Sequence, residues 1–477
     1  MSEEANNSNK LVKATLIYAI GNFGTKILAF IIVPLYTYYI STSDMGNYDL
    51  VTTTVSLITP IITMRISDAA YRWLLHNVDT KKNCISATYR VIIIGSLLVA
   101  AIILAINSLT PITYCYYFIA LLILGRWLES LQTLLRGLQK QGLFALSGII
   151  QSVIFLSLNV LFIVFLHQGV DGMFRSAIIS YSGTILLIFI LEPQLRTRII
   201  RDHENRLLTK EMLKYSAPLV PSGLSWWVMG ASDRYVIRFI LGSAANGIYA
   251  VANKFPTILS MLFTIFNYSW TDLAIGSLKE GKETTEYSSK IFENLYKLAF
   301  CFALALIPAT KIVTKLILSP SYKSASIYIS FLYLGALFQG FTAFITAGLL
   351  QGTKTGSIAR SSSIGATVNI GIDLACMRFI GIQAASFSTF CGFFVMWLCR
   401  MHDTQKVTPV HLNKVKFIPL FVLTVAMAMM TIWTDNLTDF ILTGASIVFF
   451  FLINWRYVKT ILQRLKRRQY NDNSSTE

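Results

Sequence analysis

The chain has 477 residues, of which 54% are apolar and only 14% are charged, whereas a soluble globular chain carries about 25% charged residues. The mean hydropathy of +0.57 applies to the whole length, which excludes a soluble body held by one anchor. The composition therefore predicts a polytopic membrane protein. Basic residues in cytoplasmic loops explain the net charge of +17 better than nucleic-acid binding does, so no nucleic-acid partner is expected.

Apolar segments follow one another along the whole chain and predict an all-α protein with about 14 transmembrane helices, since a bilayer crossing needs about 20 helical residues. Numbered in chain order, spans 1–14 cover residues 11–40, 46–74, 85–106, 114–138, 143–166, 173–193, 212–241, 245–275, 288–318, 325–351, 356–380, 382–402, 413–433 and 438–459. The first apolar stretch is too long for a signal peptide and lacks a cleavage site, so span 1 is expected to be retained.

Lysine and arginine alternate between successive connections. Connections 41–45, 107–113, 167–172, 242–244 and 434–437 contain neither residue, and the intervening connections contain most of those outside the spans. The positive-inside rule then predicts a topology with both termini in the cytoplasm. Lys323 is a mild exception.

An internal repeat is visible at an offset of 201 residues, where MGNYDLV in span 2 matches NGIYAVA in span 8. Because six helices separate the two copies, they share one orientation and predict two parallel six-helix lobes around a central cavity. The predicted organisation is an N-terminal lobe (1–195), a basic cytoplasmic linker (196–211), a C-terminal lobe (212–402), two additional helices (413–459) and a basic cytoplasmic tail (460–477).

Charged side chains within spans are candidate functional residues, because each costs at least about 2.5 kcal/mol at mid-bilayer unless it is paired or hydrated. Spans 1, 2, 7 and 8 contain Lys26, Asp49, Arg65, Asp68, Asp233, Arg234, Arg238, Lys254 and Asp272. Such a cavity would suit a phosphate- or pyrophosphate-bearing substrate, since arginine and lysine form charge-assisted hydrogen bonds with phosphate oxygens. The alternative for Asp233 and Arg234 is local pairing at the outer end of span 7.

Other spans contain further candidates. Arg126 and Glu129 are three residues apart in span 4, which favours a local ion pair, with a role in the cavity as the alternative. Asp49, Asp68 and Asp373 are candidates for coupling to an ion. Prolines within spans (Pro34, Pro60, Pro218, Pro221, Pro256 and Pro308) predict kinks.

Enzyme chemistry is not expected. The chain has no GxxxxGK[ST] phosphate loop, no Ser–His–Asp arrangement and no cysteine or histidine spacing that suits a metal. No cofactor is therefore predicted.

Four stretches carry a resemblance to a known family. They are PLYTYYIS at the end of span 1, MGNYDLVTTTVSLITPIITMRISDAAYRWLL in span 2, YSAPLVPSGLSWWVMGASDRYVI in span 7 and GIYAVANKFPTIL in span 8. With these stretches the chain resembles the bacterial polysaccharide-biosynthesis flippases, the Wzx or polysaccharide-transporter branch of the multidrug/oligosaccharidyl-lipid/polysaccharide exporter superfamily. That superfamily also contains the lipid II flippase.

The resemblance implies two six-helix lobes around a V-shaped cationic cavity lined by spans 1, 2, 7 and 8. It implies that the protein moves an undecaprenyl-pyrophosphate-linked oligosaccharide, such as an O-antigen, capsule or exopolysaccharide repeat unit, from the inner to the outer leaflet. The implied substrate contacts are Lys26, Arg65, Arg234 and Lys254, with Asp49 and Asp233 as charge partners or coupling-ion sites. Expected partners are the glycan lipid, membrane lipid and the glycan polymerase machinery.

Two alternatives remain open. A cation-coupled multidrug antiporter of the same superfamily would have a cavity dominated by carboxylates and aromatic residues, whereas cations prevail here. A membrane glycosyl polymerase or ligase generally needs a sizeable outside loop, and the outside connections of this chain are only a few residues long.

Overall fold

The computed structural model describes residues 30–76, 81–276, 282–351, 354–406 and 408–474. Over these ranges the chain folds into helices without any strand, which confirms the all-α prediction. Ten described helices are long and apolar enough to cross a membrane, or eleven if the bent pair Thr42–Thr63 and Ile66–Leu75 forms one span. The chain is therefore a multi-pass membrane protein, while the count of fourteen helices stays a prediction.

The chain divides into two compact units, residues 1–254 and 255–477. The first contains α1 (Phe30–Tyr39), α2 (Thr42–Thr63), α3 (Ile66–His76), α4 (Lys81–Leu109), α5 (Cys115–Gly137), α6 (Gln141–Asn159), α7 (Gly169–Leu191), α8 (His203–Ser216), α9 (Val220–Ala231), α10 (Asp233–Ile240) and α11 (Ser243–Ala252). The second contains α12 (Thr257–Gly276), α13 (Lys282–Ile317), α14 (Ala325–Gln351), α15 (Thr355–Ile380), α16 (Gln383–Thr404), α17 (Lys414–Trp433) and α18 (Asn436–Ser474).

The core of the first unit lies between α3, α4 and α5, where leucine, isoleucine and alanine side chains are buried together. Segment 196–211, predicted as a linker, packs against α4 and continues into α8. Tyr89 of α4 donates to the carbonyl of Leu195 (2.8 Å), and the N–H of Ile200 donates to Ser86 (2.6 Å). The basic connection is thus held to the unit by specific hydrogen bonds.

The second unit is built around α14, which packs against α12, α13, α16 and α17. Its core is rich in aromatic rings in mutual contact: Phe300, Phe338, Phe341, Phe390, Phe394, Trp397, Phe417 and Phe421. Edge-to-face and stacked pairs of this kind add to the free energy of apolar burial. The core joins α17, which lies outside the predicted repeat, to α13, α14 and α16.

A buried ion network also attaches the last two helices to α13. The ammonium of Lys311 donates to the carbonyls of Thr431 (2.5 Å) and Thr434 (2.7 Å) and lies 3.3 Å from the carboxylate of Asp439. Lys315 approaches the same carboxylate oxygen at 3.5 Å. Asp439 is fully buried, and its carboxylate balances the buried Lys311 and the partly exposed Lys315.

Replacing Asp439 with asparagine should destabilise the protein by about 3–5 kcal/mol, because the change leaves buried positive charge without its partner. Thermal unfolding in a mild detergent measures the effect. Asp435→Asn is the matched control, since Asp435 is exposed and its side chain accepts from the N–H of Thr438, which asparagine can also do. Equal melting temperatures for the two variants would contradict the structural role of the network.

Candidate functional site

Three predicted spans are interrupted, and each interruption lies beside a predicted charged residue. Span 2 breaks between α2 and α3, span 7 between α9 and α10, and span 8 between α11 and α12. Interrupted helices place backbone polar groups and helix ends inside a membrane protein, where they can serve a ligand or an ion. The residues beside these interruptions are therefore candidates for a functional site.

The break in span 2 is sharp. Met64 and Arg65 have φ values of 46° and 52°, in the left-handed region that side chains other than glycine seldom adopt, and α2 and α3 are bent by 58°. The guanidinium of Arg65 pairs with Asp68 at 2.6 Å. A Cβ added to Gly223 of α9 would lie 2.9 Å from an Arg65 nitrogen, so the glycine provides space for this side chain.

The interruption in span 7 is milder, because Ser232 keeps helical backbone angles (φ −66°, ψ −31°). Side chains replace part of the hydrogen bonding there. The N–H of Arg234 donates to Asp233 Oδ1 (2.9 Å), and a guanidinium nitrogen of Arg234 donates to the carbonyl of Gly230 (2.8 Å). The local geometry thus holds the Arg234 guanidinium beside the Asp233 carboxylate.

A polar cluster forms around Arg234 and is called the Arg234 cluster below; its members are Asp49, Asp233, Arg234, Asn246 and Tyr249. Arg234 Nε lies 2.9 Å from Asp49 Oδ2, and a second nitrogen lies 3.4 Å from Asp233. Tyr249 donates to Asp233, and Asn246 donates to Asp49 (3.4 Å). The cluster therefore connects α2, α10 and α11.

Burial makes these contacts strong. The side chains of Arg234, Asp49 and Asp233 are only 14%, 12% and 3% exposed. A guanidinium presents its donors in a planar fork, so it can contact two carboxylates at once in a way that lysine cannot reproduce. The contacts agree with the local pairing that sequence analysis left as the alternative for Asp233 and Arg234.

Two glycines bring α2 and α11 into backbone contact next to the cluster. A Cβ added to Gly46 would lie 1.9 Å from the carbonyl oxygen of Ser243, and one added to Gly247 would lie 1.8 Å from that of Thr42. Only glycine fits at such a crossing. Asn246 secures it by donating to the carbonyl of Gly46 (2.9 Å).

The crossing follows the internal repeat. Thr42 and Ser243 are separated by 201 residues, as are Gly46 and Gly247. Gly46 approaches the carbonyl of Ser243, and Gly247 approaches the carbonyl of Thr42. These two contacts are equivalent, as expected if the two helix ends are related by a twofold axis. The Arg234 cluster departs from this symmetry, because Ile32 and Val33 stand at the positions equivalent to Asp233 and Arg234.

The remaining predicted residues lie apart from the cluster in several places. Lys254 is in the turn after α11, where its N–H donates to the carbonyl of Val251 (3.0 Å). Arg126 and Glu129 form the ion pair that their spacing predicts. Asp373 is buried in α15 and accepts from Ser388 (2.7 Å). Lys26 lies outside the described residues.

Several buried polar residues were not predicted from the sequence. Asn246 and Asp439 were not identified because a single asparagine or aspartate at the end of a span has no distinguishing spacing. Arg400 was also missed; it is fully buried and donates to Ser361 (3.0 Å) and Ser362 (2.8 Å). Its position within span 12 was an available signal. Within the described ranges no three His, Cys, Asp or Glu side chains are placed to hold a metal ion.

Tyr249→Phe should lower the free energy of unfolding by about 1.5–3 kcal/mol, because it removes a hydrogen bond to the buried, charged Asp233 carboxylate. The repeat supplies the matched control. Tyr48 occupies the equivalent position and packs on Phe174 with ring centroids 5.0 Å apart, so Tyr48→Phe should change stability by less than about 0.5 kcal/mol. Thermal unfolding of both variants compares them, and a larger loss for Tyr48→Phe would be inconsistent with the assigned contact.

Solved transporter structures share this fold. The lipid II flippase MurJ in an inward closed conformation matches with a TM-score of 0.67 at 14% identity, covering 93% of this chain and 99% of MurJ. An inward-facing multidrug resistance MATE transporter of the MOP superfamily gives a TM-score of 0.59 at 14% identity, covering 86% and 98%. A mutant of the Vibrio cholerae MATE transporter VcmN gives 0.57 at 15% identity, covering 85% and 98%. The chain therefore shares the fold of these solved transporters.

The sequence places the chain within a family. It belongs to the polysaccharide biosynthesis protein family, whose profile matches residues 11–271, more than half of the chain. An uncharacterized membrane protein of Methanocaldococcus jannaschii is 22% identical over 320 residues, which are 64% of this chain. The chain spans about 60% of the length of that curated relative.

Proposed function

We propose that this protein is a flippase that moves an undecaprenyl-pyrophosphate-linked oligosaccharide from the inner to the outer leaflet of the bacterial cytoplasmic membrane. Membership of the polysaccharide biosynthesis protein family carries this proposal. The fold shared with MurJ supports it, because the name of that protein is lipid II flippase. The glycan polymerase machinery would use the translocated unit.

In this proposal the Arg234 cluster and the Gly46–Gly247 crossing close the outer end of the transport path. The uncharged connections 41–45 and 242–244, which sequence analysis assigns to the outside, lie at this crossing. Opening it would separate α2 from α10 and α11 and break the ion pair between Arg234 and Asp49. The released guanidinium could then bind a phosphate oxygen, so one arginine would serve closure and substrate binding in turn.

Arg65 and Lys254 are the proposed contacts of the pyrophosphate in the inward-open state, together with Lys26, and Arg126 is a further candidate. Arg65 lies at the break of span 2 and Lys254 at that of span 8. Because both residues lie where a helix is interrupted, a local movement of the backbone can bring their positive charges to the substrate. Asp49, Asp68, Asp233, Asp373 and Glu129 remain the candidate charge partners or ion-coupling groups.

Membrane potential can assist this direction of movement. An anionic pyrophosphate head that moves outward is favoured by an inside-negative potential, at about 2.3 kcal/mol per charge per 100 mV. Protonation of Asp49 or Asp233 would weaken the pairing with Arg234 and offers a route for proton coupling.

Translocation in proteoliposomes tests the proposal. A labelled undecaprenyl-pyrophosphate oligosaccharide should reach the opposite leaflet with the wild-type protein. Lys254→Gln and Arg65→Gln should each slow the rate by about 10–100-fold, because each removes a charge-assisted hydrogen bond to phosphate. Lys354→Gln is the control, since Lys354 is exposed at the start of α15. Organic-cation uptake without glycan-lipid flipping would instead assign the chain to the antiporters.

A further inference from the structure

The second unit contains a basic cavity that the proposed transport path does not use. It has a volume of about 1020 Å³ and lies between the start of α13, residues 411–416 and α18. Its charged lining consists of three lysines and two glutamates, with His411 beside them: Lys290, Lys297, Lys416, Glu286 and Glu293. The alternation of lysine and arginine between connections predicts that this end of α13 and α17 lies at the cytoplasmic surface.

One carboxylate oxygen brings two of these lysines together. Lys297 and Lys416 both donate to Glu293 Oε1, the latter at 2.7 Å. Because both nitrogens contact the same atom, the two ammonium groups are held close to one point.

The arrangement is fixed by contacts from two sides. Lys290, Glu293 and Lys297 follow one another at spacings of three and four residues in α13 and therefore share one helix face. Across the cavity, the N–H of His411 donates to Ser289 of α13 (2.8 Å), which holds the segment that leads to Lys416. The basic groups are consequently positioned before any ligand arrives.

Apolar surface lies directly beside the charged lining. Ile453 of α18 lines the cavity itself. Val415 is 84% exposed and Ile418 is 51% exposed on α17, next to Lys416. A soluble anion would make no contact with this apolar surface. An amphiphile can bind the lysines through its headgroup and pack its acyl chains along α17 and α18. Basic pockets between transmembrane helices on the cytoplasmic side are suited to phosphate-bearing lipid heads.

We propose that this cavity binds the phosphate headgroup of an anionic glycerophospholipid of the inner leaflet. Lys297 and Lys416 donate to the phosphate oxygens, and Lys290 adds a third positive charge. The site is separate from the Arg234 cluster, which belongs to the other compact unit, and it does not depend on which substrate the protein moves.

Lipid titration of the delipidated full chain tests the site, with melting temperature and native mass spectrometry as readouts. Phosphatidylglycerol should stabilise the wild-type protein and stay bound, whereas phosphatidylcholine should do neither. Lys290→Gln/Lys297→Gln/Lys416→Gln should lower the apparent affinity for phosphatidylglycerol by at least about tenfold. Lys210→Gln/Lys354→Gln/Lys406→Gln removes the same charge from exposed positions outside the cavity and should leave the affinity within about twofold.

A second triple variant distinguishes loss of lipid binding from misfolding. Glu293→Gln/Lys297→Gln/Lys416→Gln removes the two ammonium groups and their carboxylate together, so no unpaired charge remains, and it should lose phosphatidylglycerol to the same extent. Retention of phosphatidylglycerol by both cavity variants would overturn the proposal. An equal loss of affinity in the Lys210→Gln/Lys354→Gln/Lys406→Gln control would also overturn it. Inorganic phosphate that stabilises the protein at the same concentration as the lipid would also overturn it, in favour of a soluble anion.

Discussion

Gly247→Leu is expected to reduce glycan-lipid flipping about 100-fold while the protein still inserts and folds. Any Cβ at this position would lie 1.8 Å from the carbonyl oxygen of Thr42, so α2 and α11 could no longer meet. A steric cost of about 3 kcal/mol lowers the population of the closed crossing about 100-fold. Because the proposed cycle passes through that state, the flipping rate should fall with it.

The repeat and two glycines with open space beside them provide the controls. Gly46→Leu should have the same effect, since its Cβ would lie 1.9 Å from the carbonyl oxygen of Ser243. Gly371 of α15 and Gly444 of α18 have no atom within 4 Å of an added Cβ, so leucine there should leave flipping unchanged. Flipping in proteoliposomes at the wild-type rate by Gly247→Leu would show that the crossing is not part of the cycle.

Arg234→Met is expected to destabilise the protein by about 3–5 kcal/mol, because it leaves the Asp49 and Asp233 carboxylates buried beside each other without their shared cation. Thermal unfolding in detergent measures this loss. Arg234→Lys should recover only part of the stability, since a single ammonium cannot reproduce the two-sided contacts of the guanidinium.

A charge-neutral variant separates stability from transport. Asp49→Asn/Asp233→Asn/Arg234→Met removes all three charges together and should unfold near the wild-type temperature, because no buried charge is left unpaired. Its flipping rate should nevertheless stay low, since the arginine proposed to bind phosphate is absent. Wild-type flipping by this variant would restrict the cluster to a structural role.

The sequence predicts features that depend on local chemistry. Hydropathy identifies a multi-pass helical membrane protein, and the spacing of Arg126 and Glu129 predicts their ion pair. Pro256 predicts the interruption after α11, because proline lacks the N–H that would continue the helix. Pro308 shows the limit of the same argument, since it lies inside the uninterrupted helix α13.

Features that depend on distant parts of the chain could not be predicted in the same way. Met64 and Arg65 have no intrinsic preference for left-handed angles, so the break of span 2 comes from tertiary packing. The repeat aligned Gly46 with Gly247 but did not show that they touch. Asp439 could be matched with Lys311 only after α18 had been placed against α13.

A reversible cross-link at the crossing tests the transport account most directly. Ser243 Oγ lies 3.1 Å from Asn47 Oδ1, so Asn47→Cys with Ser243→Cys places two thiols across α2 and α11. Cys376, Cys391 and Cys399, which are half-buried, are replaced by serine in the same chain. Flipping of the labelled glycan lipid is then measured in proteoliposomes after oxidation and again after reduction, with cross-linking verified by mass spectrometry. We expect flipping to stop when the disulfide forms and to resume when it is reduced. Equal rates before and after complete cross-linking would contradict the account, because the outer end would not need to open.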